Sequence, residues 1–137
     1  MLESTITLSY YDVYSESICG GSSAGPTWHS IGGVHTHMTN TCAMDPKVLE
    51  KRIPILIRNF SLRTGSGGDG VIRVFEPQSH ITFALGNERH CNRPYSLKGG
   101  KDGYAGINLA RINHPTGKRF VNISPRGIIT LQRGEQL

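Results

Sequence analysis

Two imidazoles two residues apart, in His35-Thr36-His37, are the groups in this chain best suited to chemistry. On an extended backbone residues i and i+2 face the same way, so both rings can meet one substrate or one metal ion. A metal would need a third ligand, for which Asp12, His29 and Asp45 are the candidates, and the HExxH spacing of zinc hydrolases is missing. The pattern favours histidines that order a loop or touch a substrate, and no residue is assigned as a metal ligand. The pair lies in the glycine-rich stretch Cys19–Thr41, which also holds His29, the single tryptophan Trp28 and many hydroxyl side chains. That stretch has neither helical nor strand periodicity, so it is expected to be a sharply turning surface segment that lets a ligand approach.

Two glycine clusters could present converging backbone amides to an anion: Gly20-Gly21-Ser22-Ser23-Ala24-Gly25 and Gly65-Ser66-Gly67-Gly68-Asp69-Gly70. Gly20, Gly21, Gly25, Gly67 and Gly68 are the candidate cradle residues. Neither cluster ends in the Gly-Lys-Ser/Thr of a P-loop, so tight turns are the competing reading. Glu88-Arg89-His90-Cys91-Asn92-Arg93 gathers charge before Pro94, and Arg89 or Arg93 could hold a carboxylate through a bidentate pair. Glu88 is a general base only if a neighbour tunes it, and Cys19 or Cys91 a nucleophile only beside a base.

The elements that must position these groups are short. Ile6–Tyr10 alternates like a half-buried strand and is expected to lead straight into the glycine-rich stretch. Asp45 as N-cap and Pro46 at the first helical position predict one short helix over about 46–53, stopped by Pro54. Strands are expected at Ile55–Leu62, Val71–Phe75, His80–Leu85, Ile107–Ile112, Arg119–Ile123 and Ile128–Leu131, with Pro77 in a connection because it lacks a ladder donor. The fold class is α+β and β-dominated, with residues 1–137 forming one unit.

The 137 residues contain 36% apolar side chains, and Gly and Pro are abundant at 17 and 7, which suits a loop-rich domain or a piece of a larger one. The net charge of +5 is spread from Lys47 to Arg133 without a basic run or a recognition motif, so a solvated basic surface is expected rather than a nucleic-acid binder. Cys19, Cys42 and Cys91 are few and far apart, which suits a reducing cytosol and argues against a disulfide framework. No apolar run approaches the roughly 20 residues of a membrane span.

In order along the chain, Tyr10-Tyr11, Gly20-Gly-Ser22, Ala24-Gly-Pro-Thr-Trp-His29, Gly33-Val-His-Thr-His-Met-Thr-Asn-Thr41, Asp45-Pro46 and Arg58-Asn-Phe-Ser-Leu-Arg-Thr-Gly-Ser-Gly-Gly68 resemble the C-terminal part of the hydantoinase B family. The likeness is to its eukaryotic ATP-dependent 5-oxoprolinases. It continues through Gly68-Asp-Gly-Val-Ile-Arg73, Arg93-Pro-Tyr95, Gly106-Ile-Asn-Leu109 and Val121-Asn122. The resemblance implies ATP-driven ring opening of 5-oxo-L-proline to L-glutamate, or the matching hydrolysis of a hydantoin such as N-methylhydantoin. It implies that ATP is bound by a hydantoinase A-like region outside this chain, that a divalent metal is conceivable but unsupported by this chain, and that the full-length enzyme is a homo-oligomer. His35 and His37 then become the catalytic candidates, and Thr39, Asn40 and Arg89 the substrate-binding ones.

Departures matter as much. The glycine elements that stand apart in relatives are fused in Gly65–Gly70, Ser124-Pro-Arg126 replaces an expected glycine pair and lysine, and Cys42 stands where the family has arginine. The resemblance to only the C-terminal part makes the chain look like a fragment, a truncated product or a decayed paralogue. A catalytically inactive assembly module is the alternative expectation.

Overall fold

Alternating burial along Ile81–Asn87 (β7) drives the architecture: Ile81, Phe83, Leu85 and Asn87 turn inward while the residues between them do not. The computed structural model describes residues 13–36, 42–64 and 68–137, and the backbone alone of residues 4–9. Its other elements are β1 (Ser4–Ser9), β2 (Val13–Ile18), β3 (Gly21–Ser22), β4 (Ile31–Gly32), α1 (Pro46–Arg52), β5 (Ile55–Arg63), β6 (Gly70–Pro77), β8 (Leu109–His114), β9 (Gly117–Asn122) and β10 (Arg126–Leu131). The chain is β-dominated α+β, as its residue pattern predicts.

β7 sits inside an antiparallel sheet of order β10-β7-β1-β2. Three two-stranded antiparallel ladders accompany it: β3 with β4, β5 with β6, and β8 with β9. The core gathers Leu49 from α1, Ile55 from β5, Phe75 from β6, Phe83 from β7 and Leu131 from β10, each 0–1% exposed. Phe75 and Phe83 meet at a ring-centroid distance of 6.2 Å with planes tilted by 57°. Chain segment 135–137 straps two ladders together: Gln136 exchanges backbone hydrogen bonds with Arg111 of β8 (2.7 and 3.0 Å) and Leu137 with Phe75 of β6 (2.8 and 3.0 Å).

The helix follows from its cap. The Asp45 Oδ1 accepts from the amides of Lys47 (2.8 Å) and Val48 (3.4 Å), satisfying donors that the first turn leaves open. The helix ends at Arg52, and Ile53 is the extended C-cap, as the following Pro54, which disfavours helical backbone before it, leads one to expect.

Several boundaries differ from expectation for physical reasons. β2 is not announced by its sequence, since it is a polar edge strand whose inward position is filled by Glu16. The expected strand at Ile6–Tyr10 is β1, Ser4–Ser9; Tyr10 lies outside the described residues. β8 and β9 sit two residues away from their expected starts because a Pro115-Thr116 turn closes the hairpin at the His114–Gly117 pair. Pro77 ends β6 as a paired residue opposite Ile55 rather than lying in the connection. A proline is tolerated at a strand end, where one missing donor interrupts no ladder.

One polar cluster on this frame gives a pH prediction. Arg58 donates to Glu76 from Nε (2.8 Å) and Nη2 (2.7 Å), and Gln136 Nε2 donates to the same carboxylate (2.8 Å). The hydrogen bonds from Arg58, then that from Gln136, hold the Glu76 carboxyl down at about 2 against an ordinary 4.5. A depressed folded-state pKa favours the fold fully above the unfolded value, and the contribution disappears as pH falls through the folded one. The unfolding midpoint of the wild-type chain is therefore expected to fall between pH 4.5 and about 2 by more than that of Glu76→Gln. Urea titrations at several pH values in that window check this; parallel curves for the two proteins would remove the carboxylate from the account.

Candidate functional site

The two glycine clusters meet in space, and their glycines are needed by each other. A Cβ on Gly21 would lie 2.6 Å from the Gly68 carbonyl carbon, and one on Gly68 would lie 2.3 Å from the Ser22 carbonyl oxygen. Gly68 also has φ of +90°, a region that side chains other than glycine rarely adopt. The Gly33 amide is shared by the carbonyls of Gly20 (3.1 Å) and Asp69 (2.8 Å), which locks the β3–β4 ladder onto the 68–70 crossing. Gly25 has a different partner: the Trp28 indole covers it, 2.1 Å from where a Cβ would stand. Gly68→Ala is accordingly expected to cost about 1–3 kcal/mol of stability from backbone strain alone. Gly70→Ala, with nothing within 4 Å of its would-be Cβ, is the control and is expected to change far less in the same urea titration.

This glycine stack forms part of the wall of a cavity of about 610 Å³. Gly20, Gly21 and Gly68 line one side, and the irregular chain from Pro94 to Leu109 lines another. Arg63, at the end of β5, ties that irregular chain down: its Nη1 donates to the Ala105 carbonyl at 2.8 Å, and its guanidinium lies 5.3 Å from the Tyr104 ring centroid. Arg73 of β6 also lines the cavity, with a side chain only 1% exposed. It pairs with Glu16 of β2, donates to the Met44 carbonyl at 2.9 Å, and packs 4.8 Å from the Phe60 ring and 5.5 Å from that of Phe75. The Glu16 carboxylate in turn accepts the Met44 amide at 2.8 Å. Burial, with the negative charge of Glu16 beside it, pushes the neighbouring Tyr14 phenol up to about 12.

A second cavity, of about 600 Å³, contains the expected histidine. His35 lines it with Gly33, Val34, Cys42, Phe60 and Leu62. Both His35 ring nitrogens are buried and have no hydrogen-bond partner among the described residues. A buried imidazole is normally satisfied, and no described residue satisfies this one. Cys19 and Val71 line both cavities, so the two are neighbours.

The remaining sequence candidates scatter. His37, Thr39, Asn40 and Gly67 lie outside the described residues. Arg89 is exposed, has φ of 56°, offers its carbonyl to the Gly106 amide at 3.2 Å, and lines neither cavity. Glu88, Cys91 and Arg93 are exposed and line neither. Asp45 is committed to its cap. Among the described residues no group of three or more His, Cys, Asp or Glu is placed to hold a metal ion. Sequence reasoning missed Arg63, Arg73, Lys101 and Tyr104. An arginine at an inward position of the apolar run Val71–Phe75 was the one available signal.

No helix among the described residues is long and apolar enough to cross a membrane. The fold matches that of an ATP-dependent caprolactamase from Pseudomonas jessenii with a TM-score of 0.67 at 17% identity, over 96% of this chain and 26% of that one. Among curated relatives, an uncharacterised protein of Schizosaccharomyces pombe is 41% identical over 130 residues, the 5-oxoprolinase of Dictyostelium discoideum 37% over 138, and 5-oxoprolinase 1 of Arabidopsis thaliana 36% over 131. These alignments cover 89–96% of this chain, which spans about 10% of each relative's length. The family described as Hydantoinase B/oxoprolinase matches residues 3–137, which takes in both cavities and every element that walls them. With nearly its whole length aligned to that family, and with relatives in fungi, amoebae and plants, the chain belongs to the hydantoinase B/oxoprolinase family.

Proposed function

We propose that this chain supplies a substrate-facing wall of an ATP-dependent cyclic amide hydrolase, with the opening of 5-oxo-L-proline to L-glutamate as the reaction. The observation that carries the reading is His35, an imidazole with two buried, unpartnered nitrogens beside a cavity large enough for a small ring. A lactam is a stable amide, and opening it requires a proton for the leaving nitrogen and a positioned water. The His35 ring can deliver the first or hold the second. His37, Thr39 and Asn40 follow it in the same short run of sequence and are the further candidates for substrate contact.

The glycine stack does not hold an open Gly33 amide for a nucleotide phosphate. The Gly33 amide is already donated to two carbonyls, and Gly21 and Gly68 are taken up by contact with each other. Nucleotide binding is assigned to a hydantoinase A-like partner region, as the family resemblance implies.

The test is a chimera. The corresponding segment of the Dictyostelium 5-oxoprolinase is replaced by this chain, and ATP-dependent glutamate release from 5-oxoproline is measured beside hydrolysis of N-methylhydantoin. Retained glutamate release is the expected result. A chimera that folds and still splits ATP, but opens neither ring, would count against the reading. The fused glycine crossing Gly65–Gly70 favours one rival, an assembly module without turnover. Co-elution of the chain with a full-length relative, together with an inert chimera, would select that rival.

A further inference from the structure

Seven lysines and arginines lie between residues 88 and 122, against Glu88 and Asp102 alone, a surplus of five that equals the net charge of the whole chain. Elsewhere basic and acidic residues balance. Six of the seven are exposed, Arg111 being half-buried, while the Asp102 carboxylate accepts the Ser96 amide at 2.8 Å. The same segment carries large apolar side chains that the fold leaves open. Tyr95, Tyr104, Ile107 and Leu109 are exposed at the wall of the larger cavity, and Leu97, 76% exposed, lies between its lining residues Ser96 and Gly100. Leu109 opposes Asn122 and Arg111 opposes Phe120, so Leu109 and Phe120 share one face of the β8–β9 ladder as diagonal neighbours, with Phe120 68% exposed. Leu109 thereby joins that face to the cavity wall.

An apolar centre with a basic rim has the anatomy of one side of a protein interface. β9 pairs with β8 alone among the described strands, and a two-stranded ladder is marginal in water until a further element packs on it. The accessible surface is 8772 Å² for 15.0 kDa, where a self-sufficient fold of that mass exposes about 7,000 Å². The excess is about twice the roughly 800 Å² that one side of a standard interface buries. This chain covers 26% of the caprolactamase and 10% of the Dictyostelium enzyme, so in those proteins most of a chain is available to cover the aligned surface. Like charge disfavours a second copy of this chain as the cover. We infer that the face running from Tyr95 to Phe120 seats the part of a hydantoinase B/oxoprolinase chain that lies outside these residues, through a surface apolar at its centre and acidic at its rim. Seated there, the partner closes the exposed side of the larger cavity, which becomes a pocket between two bodies, where ligand sites are common. The inference rests on family membership and on this geometry, not on the reaction proposed above.

Protection from a small alkylating reagent tests this. Leu97→Cys and Phe120→Cys are placed in the free 137-residue chain and in the chimera and treated with iodoacetamide. Mass spectrometry of each position's own peptide separates its rate from those of the exposed Cys42 and Cys91. Both positions are expected to react at least tenfold more slowly in the folded chimera than in the free chain, and to regain the full rate when the chimera is unfolded in urea. Adding Lys101→Glu and Lys118→Glu to the chimera is expected to return much of the lost rate, since acidic groups then face acidic ones. Equal rates in chimera and free chain overturn the inference, and protection unmoved by the two charge reversals overturns the acidic rim. Slowing in the free chain that grows with its concentration gives the face to a second copy, and slowing by phosphatidylserine vesicles gives it to a membrane; either result overturns the assignment. If the chimera does not fold, the positions of the Dictyostelium 5-oxoprolinase aligned with Leu97 and Phe120 are read in the same way in that enzyme. Turnover is not measured, so an inert chimera with both positions protected keeps this face while losing the reaction.

Discussion

Replacing His35 with leucine is expected to raise the unfolding midpoint of the chain while lowering ring-opening turnover in the chimera roughly 10²–10⁴-fold, the range for loss of a positioned proton-transfer group. The two effects have one cause. Both ring nitrogens are buried without a partner among the described residues, and a desolvated polar group left unsatisfied costs about 1–3 kcal/mol. Val34, Phe60 and Leu62 share the lining, so an apolar side chain of similar size removes that penalty and adds apolar contact. The measurements are a urea titration and a steady-state assay of the same variant. If turnover falls mainly through kcat with KM little changed, the ring acts in the chemical step rather than in uniform binding. A His35→Leu protein that is less stable than wild type would show that the nitrogens do have partners, and the argument for His35 as a substrate-facing group would go with it.

Arg73→Met carries the second large effect, on stability. Glu16 and Arg73 have side chains 6% and 1% exposed, and their pair joins edge strand β2 to β6 and, through Met44, to the chain entering α1. Removing one member leaves an uncompensated buried charge, which costs roughly 3–5 kcal/mol. That is a large part of the 5–15 kcal/mol by which a domain is ordinarily stable. Glu16→Leu is expected to cost a comparable amount, and the double variant Glu16→Leu/Arg73→Met to recover most of the loss, because neither charge is then stranded. Urea midpoints of the four proteins close the cycle. If the two single losses simply added in the double variant, the residues would act independently and the pair would not be the tie between the strands.

The parts of the fold that were legible in the sequence are those set by local rules. Asp45 and Pro46 announce α1, and the alternating residues of β7 announce a strand with one buried face. What was not legible depends on partners remote in the chain. β2 reads as polar because it is an edge, and the residue it buries, Glu16, is neutralised by an arginine 57 positions away. The β3–β4 ladder pairs only two residues from each strand, and Gly21 and Gly32 are two of those four, so it has no periodicity to read. His35 was visible as chemistry because unusual residue types crowd around it. The larger cavity was not, since Arg63 and Arg73 sit in ordinary strand patterns and Lys101 in an irregular segment. Spacing along a strand says which face a side chain takes, and nothing about the segment that will later fold across it.

Cys19 and Val71 belong to the linings of both cavities. A larger side chain at either position, as in Val71→Phe, would take room from the two at once.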